Sequence, residues 1–309
     1  MIPEELLKIY RKQGYKIVGK YGAVKLCTWL KKSIKNEGFC YKQKFYGIES
    51  HRCLQFTPCL TFCTQQCIYC WRSFQGTETF MKDWDDPKLL VEESIKAQRE
   101  LIIGFKGYKG TDLKKFEEAM NPKHAAISLA GEPTLYPEID ELIKEFHKRN
   151  MTTFLVSNGT MPEVLERMKN LPTQLYISVS APSEEVYRKV CRPLLKDGWQ
   201  RLNRSLGIFR TLKTRRVIRL TLVRELNMID PKGYSKLIEK ADPDFVECKA
   251  FMSVGFARKR LPYESMPLHE EIFKFAEELC EELNYKIIDE KRDSRVVLIG
   301  KSERGVKIN

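Results

Sequence analysis

Cys63-Thr-Gln-Gln-Cys67-Ile-Tyr-Cys70-Trp71 is the stretch on which the reading of this chain turns. It sets three thiols at Cys-x3-Cys-x2-Cys spacing. Thiolates are the usual ligands of iron–sulfur clusters, whose potential follows from the hydrogen bonding, charge and exposure around them. Three ligands rather than four leave one iron of a cubane open, and the amino and carboxylate groups of a small molecule can chelate it. The competing reading is zinc, which needs a second Cys-x2-Cys or a His pair close by. Here the next downstream cysteines, Cys191 and Cys248, are isolated, and the only histidines stand at 51, 124, 147 and 269. Size and the opening Met1-Ile-Pro-Glu-Glu-Leu-Leu-Lys8, which is no export signal, argue against a disulfide framework. Cluster chemistry fits best.

Outward from this loop, the chain alternates strand-like and helix-like runs. His51–Phe56 reads as the strand feeding it. Strands are then expected over His124–Ala130, Thr152–Ser157, Leu175–Ser180, Val217–Val223 and Phe245–Phe251. Helices are expected over Pro87–Ile103 (capped by Asp85 or Asp86), from near Pro137, and over Pro162–Lys169, Glu184–Cys191 (capped by Ser183), Pro231–Lys240 and Pro267–Leu283. Tyr285–Gly300 reads as a terminal strand pair turning around Lys291–Ser294. About six successive β/α units predict an α/β fold, a parallel sheet curled into a partial (β/α)6 TIM-like barrel, with chemistry at the strands' carboxyl ends. Residues 53–309 form the expected catalytic domain, and residues 1–52 an extension, partly helical over 3–12 and 20–35. No apolar run approaches the ~18 residues of a membrane span, and ten cysteines without an export signal fit a reducing cytoplasm.

Charge is lopsided, 54 Lys+Arg against 41 Asp+Glu. Lys8, Arg11, Lys12, Lys16, Lys20, Lys25, Lys31, Lys32 and Lys35 fall in one acid-free block. Arg201, Arg204, Arg210, Lys213, Arg215, Arg216, Arg219 and Arg224 fall in another, and Arg258-Lys259-Arg260 follows. One-sign stretches of this length predict contact with a phosphate backbone, against the plainer reading of a solvated face.

The cysteine run with Tyr69 and Trp71 resembles the signature of the radical S-adenosylmethionine (SAM) superfamily. That resemblance implies a [4Fe–4S] cluster on Cys63, Cys67 and Cys70 and reductive cleavage of SAM to methionine and a 5′-deoxyadenosyl radical. Gly131-Glu132-Pro133, one β/α unit later, is similar to the segment that meets the SAM amino group in that superfamily. Ser157 and Asn158, and Ser178 and Ser180, resemble its ribose and carboxylate contacts. Turn chemistry and strand alternation are the plain alternative for those four.

Upstream, Cys27, Cys40 and Cys53 are separated by twelve residues each. Tyr41-Lys42-x-Lys44-Phe45-Tyr46-Gly47-Ile48-x-Ser50-His51-Arg52-Cys53, followed by the Cys63–Cys70 run, resembles the tRNA 4-demethylwyosine synthase family. The resemblance runs from about Cys27 to the end. It implies a second [4Fe–4S] cluster on Cys27, Cys40 and Cys53, also with an open iron, and leaves Cys59 in neither triad. The 309 residues leave no room for the flavodoxin-like domain of eukaryotic relatives, so an external flavodoxin- or ferredoxin-type donor is expected. The implied reaction joins pyruvate to the N1-methylguanosine beside the anticodon of tRNA(Phe). A hydrogen is taken from the N1-methyl group, and the carbon radical adds to the pyruvate carbonyl carbon. The carboxyl carbon is lost, and ring closure expels water. Lys42 or Lys44 could form a Schiff base with pyruvate; phosphate contact is the plain alternative for both. Trp29, Phe39, Tyr41, Phe45, Tyr46 and Trp71 are candidates for base stacking or for the core. Other two-cluster radical SAM enzymes, and a non-catalytic metal-stabilised RNA-binding module, are the competing functions.

Overall fold

The computed structural model describes residues 2–308. Among them runs one sheet of ten strands: β1 (Tyr15–Val18), β2 (Gly22–Lys25), β3 (Cys53–Thr57), β4 (His124–Ile127), β5 (Thr152–Ser157), β6 (Gln174–Ser178), β7 (Arg215–Leu222), β8 (Phe245–Ala250), β9 (Lys286–Lys291) and β10 (Val296–Gly300). Their order is β1-β2-β3-β4-β5-β6-β7-β8-β10-β9. β3 to β8 are parallel, and the flanking strands pair antiparallel. The six parallel strands are the predicted partial barrel, left open between the edges β1 and β9.

The helices are α1 (Glu4–Lys12), α2 (Thr28–Ile34), α3 (Tyr41–Tyr46), α4 (Pro87–Ile102), α5 (Leu113–Ala119), α6 (Ile139–His147), α7 (Pro162–Arg167), α8 (Glu184–Cys191), α9 (Gly198–Phe209), α10 (Pro231–Ala241) and α11 (His269–Leu283). Local chemistry sets several of their starts. Asp86 accepts from Leu89 N at 3.0 Å with Pro87 at the first helical position, and Ser183 accepts from Val186 N. α11 buries Ile272, Phe275, Ala276 and Leu279, the face its periodicity predicts.

Three departures from expectation matter. Residues 15–25 form a hairpin, and β2 pairs with β3, so the extension adds strands to the catalytic sheet. Within residues 20–35, expected to be partly helical, α2 covers 28–34 as anticipated. α9 went unpredicted within the second basic block, although Leu202, Leu206 and Phe209 recur there at helical spacing and are buried. Finally, α3 lies across the inner face of the sheet.

That last feature organises the site. Strand residues alternate sides. Leu155, Leu175, Ile177, Ile218, Leu220 and Val246 pack under the helices in the main core. Phe154, Tyr176, Val217 and Phe245 turn inward and pack on Tyr41, Phe45 and Tyr46 of α3. Those three aromatics are therefore core residues, not base-stacking candidates. No helix among the described residues is long and apolar enough to cross a membrane.

Candidate active site

The loop after β3 carries Cys63, Cys67 and Cys70. Backbone bonds fix it: Cys63 N donates to Glu78 O at 2.9 Å, Ile68 N to Val190 O at 3.0 Å, and Gln66 N to the carbonyls of Cys191 and Arg192. Beneath it sits Arg72, 1% exposed, donating to Gln65 O at 3.1 Å and to Thr77 Oγ1 at 2.6 Å. Burial pushes the Cys63 thiol up to about 12 and raises Cys70, while the Arg72 charge opposes both shifts. Cys67 is pushed well up by its hydrogen bond with Cys191 and by burial. Three neighbouring thiols beside a guanidinium are a donor set whose thiolate forms a bound cationic centre would stabilise, their protons going to solvent, so the residues fit an iron–sulfur cluster.

Gly131 has φ +76°, and a Cβ there would lie 2.0 Å from Cys59 O. The backbone thus passes the cysteine loop where only glycine fits. Cys59 is buried and donates its thiol to Glu132 O at 3.0 Å, which makes it a tie between the two segments. Glu132 is 2% exposed. Its carboxylate accepts from Thr134 N (3.1 Å), Thr134 Oγ1 (2.5 Å), Ser157 Oγ (2.8 Å) and Asn158 N (2.6 Å). Three of these bonds end on Oε1 and one on Oε2, so this side chain braces the loops while Oε2 keeps an acceptor position open; burial raises its pKa. Asn158 Nδ2 reaches Thr64 Oγ1 at 2.9 Å and points at Cys63 Sγ at 3.9 Å. Ser180 accepts from Tyr69 OH at 2.8 Å. Ser178 lies on the inner face opposite Arg219. Gly131, Glu132, Asn158 and Ser180 thus meet the loop that follows β3, several of them as struts. A Gly131→Ala chain is expected to lose at least about 2 kcal/mol of stability and its SAM binding. An unshifted thermal midpoint with normal equilibrium dialysis of SAM would show the contact to be slack.

The second triad is assembled from three elements. Cys27 caps α2, its sulfur accepting from Trp29 N at 3.3 Å; Cys40 caps α3; Cys53 opens β3. Burial, then the neighbouring Cys27, raises Cys40 to about 11. Burial raises Cys53 to about 12, with Lys42 opposing and Cys27 and Cys40 adding. Cys27 is thus near enough to raise Cys40, and both are near enough to raise Cys53. These residues, too, fit a cluster.

The two lysines part company. Lys42 is 7% exposed, its Nζ 4.4 Å from the Phe154 ring centre and 4.9 Å from that of Tyr176. Burial, then Arg219, lowers its pKa. Lys44, two positions on and so on another face of α3, pairs with Asp289 at 2.7 Å and donates to Glu290 O at 2.6 Å. It faces β9, whereas Lys42 faces the inner strands.

Sequence reasoning missed the inner polar cluster. Glu247, fully buried, pairs with Arg219 at 2.8 Å, its register partner on β7. It accepts from Tyr46 OH (2.6 Å), Tyr41 OH (3.1 Å) and Tyr176 OH (3.1 Å). Lys249 lies beside it, donating to Ser294 O at 2.6 Å, its pKa brought down to about 8 by burial and then Arg219. The available signal was charge at period two, Glu247 and Lys249 within an apolar strand.

The second basic block makes many ion pairs inside the fold. Arg201 pairs with Glu163 and Asp197, Arg204 with Glu166, Arg210 with Asp242, Arg216 with Asp244, and Arg224 with Glu271. Arg215 donates to the carbonyls of residues 305–307. Most of that block is paired within the fold, Lys213 and Arg215 having no carboxylate partner among the described residues. In the first block, Lys8, Lys12, Lys31 and Lys32 have no carboxylate partner among the described residues.

A β/α sheet with a three-thiol loop behind its first parallel strand defines a radical SAM enzyme, and the Radical SAM superfamily matches residues 57–238. Residues 240–301 match the family described as wyosine base formation. The chain is 57% identical over 305 residues to the S-adenosyl-L-methionine-dependent tRNA 4-demethylwyosine synthase of Pyrococcus abyssi, covering 96% of this chain and 89% of that protein. To the enzyme of that name from Methanocaldococcus jannaschii it is 45% identical over 316 residues, covering 100% and 99%. A solved structure of TYW1 with a lysine–pyruvate adduct bound matches with a TM-score of 0.90 at 45% identity, over 100% of this chain and 99% of that one. The chain belongs to the tRNA 4-demethylwyosine synthase family, radical SAM enzymes that form the wyosine base on tRNA.

Proposed function

We propose that this enzyme joins pyruvate to the N1-methylguanosine beside the anticodon of tRNA(Phe), acting as a carbon–carbon lyase on pyruvate. It would work in the cytoplasm, with electrons from a flavodoxin- or ferredoxin-type donor. Cys63, Cys67 and Cys70 would hold one [4Fe–4S] cluster and Cys27, Cys40 and Cys53 another; when bound, the first supplies the electron that cleaves SAM and the second a Lewis-acidic iron for the oxygens of pyruvate.

The protein's own residues do the rest. Glu132 Oε2, which accepts a single hydrogen bond within the fold, main-chain groups of the Gly131 turn and Ser178 take the polar ends of SAM. Glu132, Ser157 and Asn158 hold that turn against the cysteine loop. Lys42 attacks the carbonyl carbon of pyruvate as the free amine. A C=N bond forms, and both amine hydrogens leave with the carbonyl oxygen as water. Phe154 and Tyr176 exclude solvent around the adduct.

The observation that carries this reading is the position of Lys42, sealed on two rings beside the Cys27–Cys40–Cys53 triad. The lysine–pyruvate adduct in the TYW1 structure supports it. Anaerobic reconstitution tests it. About eight irons per chain are expected, with one EPR signal of the reduced protein perturbed by SAM and another by pyruvate. Four irons, lost only on removal of Cys63, Cys67 or Cys70, would sink the second cluster.

A further inference from the structure

We propose that the segment between β8 and α11, residues 251–268, is the platform on which the anticodon loop of the substrate RNA docks. Arg258 and Lys259 would be its phosphate contacts, and Met252 and Val254 beside Trp71 its apolar seat for an unstacked base. This rests on the anticodon reading above and adds where the RNA sits.

Charge is the first observation. Most arginines of the 199–224 block are cancelled by carboxylates. Arg258 and Lys259 are exposed and have no carboxylate partner among the described residues. Arg258 is steadied by its Nε, which donates to Ser253 O at 2.8 Å, and its terminal nitrogens find no partner there. Lys259 Nζ rests 5.2 Å from the Phe256 ring centre. Two positioned, unneutralised cations are what a phosphate backbone selects.

Placement is the second. Gly255, at φ +57°, runs so close to Trp71 that a Cβ would lie 2.6 Å from its carbonyl, which accepts from Phe256 N at 3.0 Å. Arg260 donates to Cys70 O at 2.6 Å and Arg72 O at 2.7 Å. The platform is thus tied to the backbone of the cysteine loop, where the target methyl must arrive. Trp71, Met252 and Val254 stay 39%, 37% and 36% exposed, an apolar rim beside cations, the surface to which single-stranded loops bind by stacking. The segment also falls within 240–301, the part matched by wyosine base formation rather than by the superfamily at large.

Fluorescence anisotropy with a labelled anticodon stem–loop RNA, read across a salt series, tests this. The Arg258→Ala/Lys259→Ala double variant is expected to bind about tenfold more weakly at 0.1 M salt. Its log K against log salt slope should fall by about 1.4, two single-strand phosphate contacts' worth. Arg204→Ala/Arg210→Ala should change neither, and thermal unfolding checks that each variant is folded. A double variant that binds like the parent overturns the platform. So does one that keeps RNA binding but loses reduction by flavodoxin, because the patch would then serve an acidic protein donor. If the parent itself fails to bind the stem–loop, the anticodon reading falls with it.

Discussion

Lys42→Ala abolishes turnover, by about a thousandfold or more, while Lys44→Ala stays within about twofold of the parent. The asymmetry follows from α3. Lys42 is driven inward by its neighbours Tyr41 and Phe45, which pack on the inner strands, and its amine ends on Phe154 and Tyr176. Lys44 ends in a half-exposed pair with Asp289, an interaction worth little in water. The decisive measurement is chemical. Pyruvate plus cyanoborohydride should fix a label on the peptide containing Lys42 in the parent and in Lys44→Ala. No label should appear in Lys42→Ala, at equal iron content. Full turnover in Lys42→Ala would remove the Schiff base from the reaction.

Glu247→Ala should be the most destabilising single change in the inner face, by about 3–5 kcal/mol. The loss has two parts. Arg219 is left as a buried cation without its partner at 2.8 Å, and the hydroxyls of Tyr41, Tyr46 and Tyr176 lose their common acceptor. Tyr41 and Tyr46 belong to α3, so the helix bearing Cys40 and Lys42 loosens with them. The effect depends on pH in a defined direction. Although burial opposes it, the Arg219 charge holds the Glu247 carboxyl below its ordinary range. Its contribution is therefore full above the ordinary carboxylate pKa and disappears as pH falls through the lower folded value. Urea unfolding should show a wide gap between parent and variant at neutral pH, narrowing in strong acid. A gap of constant size would place the loss in packing rather than charge.

The barrel was legible because its signals were local. An aspartate cap followed by proline opened α4 and a serine cap opened α8, and apolar runs marked β4 to β8 with ends a few residues off at most. The Cys63–Cys70 loop could be read for the same reason, its ligands lying within eight positions. What escaped depended on distant partners. The β1–β2 hairpin is short, basic and stabilised by β3. α9 was hidden by arginines whose acids lie on α7 and elsewhere. The block of cations is acid-free in sequence, and one-dimensional counting cannot see Glu163, Glu166, Asp242 and Asp244 folding back onto it. Lys42 and Lys44 were equivalent in sequence and separated only once α3 had an orientation.

The two cysteine triads differ in contact order. Cys63, Cys67 and Cys70 share one short loop, so a chain that has formed little beyond β3 and its neighbours already holds them within reach of one another. Cys27, Cys40 and Cys53 begin three separate elements and meet only when α3 has docked across β5 to β8. The closure entropy of the whole sheet stands between that triad and its geometry. A second cluster on that triad, as proposed above, would therefore mature last, and its filling would report that the barrel is complete.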